Sequence, residues 1–213
     1  MKLGEIKLEA LKLMWANYGE DIGIEQLDDL MDSDTYGSYL IAMTGSINRC
    51  FADLETRKIL PMASIALPAP SVEQRGQTVA YDMRALIGEY LSLERLVYES
   101  GGQTYEDADI ADRMIGDLLC VPYFDTEREG YRVIYRPCLS RIYPFTDNET
   151  ELPIPDRIAA FIPYWIKSEL YREEEPNEAG EARNWYEAHM SAVLSDSIRP
   201  CSGVRSVYAI AEV

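Results

Sequence analysis

Apolar residues recur at helical spacing from Leu3 to Asn17, where Leu3, Ile6, Ala10, Leu13 and Met14 share one stripe and Gly19 stands beyond as a stop. The stretch from Asp21 to Ser33 is acidic and short in period. Ser33 or Asp34 can then cap a second helix, predicted from Thr35 to about Ile59, with Leu40, Ile47, Phe51 and Leu54 facing inward and Pro61 ending it. From Pro61 to Phe145 the period shortens, and prolines and glycines separate alternating segments. Thr78–Met83, Leu91–Tyr98 and Tyr131–Arg136 are rich in β-formers and read as strands of an antiparallel region. Glu129-Gly130 reads as a hairpin turn, and Cys138–Tyr143 as the next strand after Pro137.

Helical spacing returns after Leu152. Pro155 suits a first helical position, and Ile158, Ile162, Trp165, Ile166 and Leu170 follow on one stripe. Pro163 lies inside that run, removes the bond to the Ala159 carbonyl, and predicts a kink. Glu173–Asn177 breaks the chain, and Asn177 is placed to cap a fourth helix carrying Ala179, Ala182, Tyr186, Met190 and Val193. The last two helices should form an antiparallel hairpin. Val204–Val213 is apolar on both faces, which fits either a central strand of its own sheet or an arm that pairs with another subunit's edge. No internal repeat is visible.

The fold class that follows is α+β. A helical core comes from the N-terminal helices (residues 1–62) and a C-terminal hairpin (149–198), with an antiparallel β-rich insertion (63–148) and a terminal arm or strand (199–213). At 213 residues, with 47% hydrophobic and 27% charged positions, the chain suits one globular domain or one domain carrying an insertion, and its composition excludes a disordered or collagen-like chain. The net charge of −17 is spread along the whole sequence and should repel a nucleic-acid duplex. Glu5 and Glu9 interrupt any apolar leader, so no secretion signal is expected. The least polar run, Ile59–Pro70, contains three prolines and falls short of the roughly 20 residues a bilayer requires. Cys50, Cys120, Cys138 and Cys201 are far apart, without a CxxC pair, and read as free thiols, mostly in the core.

Chemistry is sparse. His189, the single histidine, has no local nucleophile or orienting group and reads as a half-buried helix residue. Asp32–Gly37 begins like a calcium loop, but Tyr36 and Met43 stand at ligand positions, and a helix N-terminus explains the same residues better. Glu106, Asp107, Asp109 and Asp112 read as solvated loop acids rather than a metal site. Phosphate-loop, dinucleotide, zincin and nucleophile-elbow motifs are absent, and no catalytic, cofactor or metal residue is assigned.

The segment LPIPDRIAAFIPYWIKSELYREEEPNEAGEARNWYEAHM, from Leu152 to Met190, preceded by YRVIYRP at Tyr131–Pro137, resembles the head-to-tail connector, or adaptor, family of tailed bacteriophages. In that family a helical hairpin of this kind follows a strand ending in a Tyr-Arg-Pro step. GSINRCFADL, Gly45–Leu54, resembles the early helices of the same proteins. The resemblance implies a non-enzymatic virion protein without cofactors, located at the head–tail junction and in the host cytoplasm during assembly. It implies a ring of identical subunits, about twelve, touching the portal protein and neck or tail proteins, away from membranes, with DNA passing through without sequence-specific binding. Phe161, Tyr164, Trp165 and Tyr171 spread around more of their helix than one core stripe requires, so some should meet another subunit; the alternative is that all serve the chain's own core. Val204, Val207, Tyr208 and Ile210 of the terminal arm are the other expected contacts. Two rival readings are an acidic DNA-mimic inhibitor and, within phage, a tail-side terminator or stopper ring. A hydrolase pairing one cysteine with His189 is a weaker third.

Overall fold

A computed structural model describes residues 1–15, 23–33, 36–107, 109–123 and 130–198. The architecture is α+β, with antiparallel sheets. The chain divides into two compact units. Among the described residues, Met1–Ile59 with Leu139–Ile198 form the helical one, and those within Leu60–Cys138 form the β-rich one. The crossings thus fall at Leu60 and Leu139, against expected limits of 63 and 148.

In the helical unit, α1 (Leu3–Met14) buries Leu3, Ile6, Ala10, Leu11 and Met14. Its first amides are not left unpaired: Leu3 and Gly4 donate to the carbonyls of Thr150 and Asn148 at 2.9 and 2.8 Å. The helix ends at Met14 with Trp15 as its non-helical C-cap, short of the expected Asn17, which itself lies outside the described residues. A 3-10 turn (Ile24–Gln26) and the short α2 (Leu27–Met31) occupy the acidic stretch, with Leu27 buried. Helix α3 (Gly37–Thr56) starts after Ser33, whose hydroxyl and carbonyl accept from Tyr36 and Gly37. A Cβ on Gly37 would stand 2.3 Å from the Met31 carbonyl oxygen, so only glycine lets the chain turn this closely. The helix stops at Thr56, before Pro61: Lys58 takes the left-handed conformation (φ +55°), and the Ile59 amide turns back to the Leu54 carbonyl.

The expected kinked third helix is instead two helices, α5 (Asp156–Ala159) and α6 (Ile162–Leu170). Pro163 sits in the first turn of α6, where its missing N–H costs nothing, so a break replaces the kink. Likewise α7 (Pro176–Ile198) opens on Pro176, and the Ala179 amide donates to the Glu175 carbonyl; Asn177 is therefore inside the first turn rather than the cap. The apolar stripe of α7 is the expected one: Ala179, Ala182, Tyr186, Met190 and Val193 are all buried. Helices α6 and α7 pack together, and α6 also meets α1 and α3. Val204–Val213 lies outside the described residues.

The β-rich unit has two antiparallel sheets. The larger has the order β1 (Ala63–Ala66), β7 (Gly130–Pro137), β3 (Tyr90–Ser100), β4 (Gln103–Glu106); the smaller has β2 (Thr78–Asp82), β6 (Leu118–Pro122), β5 (Met114–Ile115). Strand alternation sends Leu96, Tyr131 and Val133 from the first sheet and Val79, Tyr81, Leu119 and Val121 from the second into one core. Gly101 and Gly102, both with positive φ, make the two-residue turn between β3 and β4. At the predicted Glu129-Gly130 turn, Gly130 pairs with Glu99, and Glu129 lies outside the described residues. A short helix, α4 (Met83–Ile87), is capped by Asp82, whose carboxylate accepts the Ala85 amide at 3.0 Å.

Cys138–Tyr143 is not the expected strand. The chain leaves the sheet at Pro137, and Ile142 is held through both backbone groups by the Asn48 carboxamide of α3, at 2.8 and 3.0 Å. A side-chain amide here replaces a strand partner, which β-propensity could not foresee.

Candidate functional site

The hairpin aromatics were the strongest candidates in the sequence, and they divide into two pairs. Trp165 and Tyr171 are buried, at 6% and 7% exposure. The Trp165 ring meets Tyr186 edge-on at 5.0 Å and carries the Arg183 guanidinium 3.9 Å above it. Tyr171 donates from its hydroxyl to the Met14 carbonyl and packs edge-on against Trp15, which also meets Tyr36 and Tyr39. These two side chains serve the core of their own unit. Phe161 and Tyr164 remain half-buried, stack on one another at 5.7 Å, and leave ring area to solvent.

His189 is half-buried, as read from sequence. Its ring stacks on Phe161 at 3.3 Å, and Nε2 lies 2.8 Å from the Arg157 carbonyl oxygen. Among the described cysteines Cys50 is buried, whereas Cys120 and Cys138 are half-buried, so the expected core placement holds for Cys50 alone of these three. Its sulfur contacts the Tyr186 hydroxyl at 3.6 Å, and burial pushes the thiol up to about 12. Tyr186 in turn donates to Asp53 at 2.9 Å, beside Arg57, which grips Glu187 through two nitrogens at 2.7 and 2.9 Å. The Arg57 guanidinium holds the Glu187 carboxyl below its ordinary value. This polar network ties α3 to α7.

The loop acids of the β-rich unit have local structural tasks. Asp109 caps a 3-10 turn by accepting from the Ala111 amide at 3.0 Å, Asp107 lies 3.6 Å from Arg113, and Glu106 lies 3.8 Å from Arg95. Among the described residues no group of three acids, cysteines or histidines is placed to hold a metal. Nor is any described helix long and apolar enough to cross a membrane.

The sequence reading missed the apolar side chains that the helical unit exposes: Phe145 at 93%, Tyr143 at 66%, Trp185 at 65% and Ile41 at 51%. In the β-rich unit Ile115, at the β5–β6 turn, is 69% exposed. Tyr143 ends the segment expected as a strand and Phe145 ends the β-rich region, and no periodicity there indicates which side chains face solvent. Trp185 had a legible signal, since it falls outside the Ala182–Tyr186–Met190 stripe of its helix. Tyr, Trp and Phe are enriched among the residues that anchor protein–protein contacts. Comparison with known protein families and with curated proteins returned no match.

Proposed function

We propose that this chain is a non-enzymatic virion structural protein, a head-to-tail adaptor that forms a ring of identical subunits between the portal and the neck or tail of a tailed phage and leaves a channel for DNA. The observation that carries this reading is the join between the two units. Strand β7 ends on Tyr135-Arg136-Pro137, and the segment that resembles the adaptor family then folds as the α5–α6–α7 hairpin, packed on α1 and α3. The order of strand, Tyr-Arg-Pro step and hairpin is the one the resemblance implies.

The surface supports the same reading. A ring contact is head-to-tail and joins two different patches on each subunit. Ile41 on α3 and Trp185 on α7 are exposed apolar groups at separate points of the chain, available for such contacts. With a net charge of −17, the ring would present carboxylates to its channel, and these repel phosphates and let DNA slide through. The exposed run Glu173-Glu174-Glu175 between α6 and α7 is the densest described acidic group on the hairpin.

Quantitative mass spectrometry of purified particles tests the proposal. About a dozen copies per particle are expected, and absence of the chain from mature particles would overturn it. A ring reconstruction by electron cryo-microscopy with a basic or neutral lumen would remove the channel role of the carboxylates.

A further inference from the structure

Residues 143–146 form a tight turn with an aromatic tip. The Tyr143 amide donates to the Thr146 hydroxyl at 2.8 Å, the Thr146 amide donates to the Tyr143 carbonyl at 3.0 Å, and Pro144 presets the backbone at the first corner. The Asn48 carboxamide anchors the chain immediately before this turn, at Ile142. Phe145 is thereby held in place with 93% of its surface exposed.

Beside it opens a cavity of about 410 Å³, lined by Asp28, Met31, Pro144, Phe145, Asp147 and Asn148 along with Thr146. Asn148 is buried and serves as the floor: its Nδ2 donates to Asp28 Oδ1 at 2.9 Å, and its Oδ1 accepts from Lys7 Nζ at 2.9 Å. Asp147 uses Oδ1 to accept the Glu149 amide at 2.9 Å. Each carboxylate thus has one oxygen fixed, while its residue stays exposed.

We propose that this cavity docks an arginine side chain presented by a partner protein, with the guanidinium on the Phe145 ring and between the Asp28 and Asp147 carboxylates. The chemistry fits a guanidinium in each part. Its flat face stacks on an aromatic ring, its N–H fork matches carboxylates, and its methylene stem suits Met31 and Pro144. Lys7 donates to Asn148 Oδ1 beside the site; burial lowers its affinity for a proton, with the Asp28 carboxylate acting in the opposite sense. Charge decides the source of the arginine. A second copy would bring a net −17 to an acidic rim, whereas a basic-surfaced partner is attracted to it. The proposal does not require the ring reading, since any partner offering an arginine would satisfy it.

The test is a titration of the full-length chain with Nα-acetyl-arginine amide, followed by NMR, with the neutral isostere Nα-acetyl-citrulline amide as control. The arginine compound should shift resonances of residues 28, 31 and 143–148, and the citrulline compound should not. Phe145→Ala and Asp147→Asn, both at exposed positions that leave the core intact, should each weaken the arginine response about threefold or more. Equal shifts with citrulline, or no shifts at these residues, would overturn the proposal. Shifts of the same residues with protein concentration alone would assign the cavity to a second copy and overturn it too. Presence or absence of the chain in phage particles bears on the adaptor reading and leaves this result untouched.

Discussion

Buried on α3 against Tyr186, the Cys50 thiol is raised from 9.0 to about 12, chiefly by desolvation. Its core position was legible, because Cys50 continues the stripe of Ile47, Phe51 and Leu54. The size of the effect was not, because it depends on α7 closing over the sulfur with Tyr186. Between pH 9.0 and about 12 the unfolded chain has lost this proton while the folded chain keeps it, so stability falls as pH rises, by about 1.4 kcal/mol per unit for such a group. The urea midpoint should therefore drop more steeply above pH 9 in the parent than in Cys50→Ala. At pH 8, alkylation mapped by mass spectrometry should label Cys50 only after denaturation. Labelling in the native state would show that the helical unit opens at α3.

At the level of elements, Pro163 separates two accounts of the same residues. A proline inside a helix costs about 3 kcal/mol, so Pro163→Ala would stabilise a kinked helix by a similar amount. In the first turn of α6, proline is compatible and rigidifying, and Pro163→Ala should instead lose up to about 1 kcal/mol. Thermal or urea unfolding of the variant distinguishes the two by sign. The Cys138–Tyr143 segment carries a related lesson. Its residues have β-propensity, yet the Asn48 carboxamide and the Glu55 carboxylate, which accepts the Leu139 amide at 2.7 Å, bind it to α3. Propensity describes a residue's local preference, while the competing partners come from a helix almost a hundred residues away in the chain.

On the scale of the whole molecule, the helical unit is assembled from both sides of the β-rich one, so its core cannot close until the hairpin has joined α1 and α3. Under the adaptor proposal, the residues after α7 contribute to assembly rather than to this core. Deleting Arg199–Val213 should weaken ring formation in sedimentation experiments while leaving the helical circular dichroism nearly unchanged. Loss of the folded signal would instead make the segment part of the subunit's own structure.

Periodicity was enough to place α1, α3, α6 and α7, and alternation was enough to find β2, β3 and β7, because each of these buries one face and the burial pattern is written in consecutive residues. The stripe of α7 from Ala179 to Val193 could be read without coordinates for the same reason. The split between α5 and α6, the stop at Lys58, the aromatic turn at Phe145 and the separation of Trp165 and Tyr171 from Phe161 and Tyr164 could not. The last two depend on atoms distant in sequence: the Asn48 carboxamide of α3 before the turn, and a carbonyl of α1 and a guanidinium of α7 at Tyr171 and Trp165; the first two are local choices of backbone conformation that an apolar stripe does not record. Local pattern reports which side of an element avoids water, and only the packed fold supplies the partner that meets it.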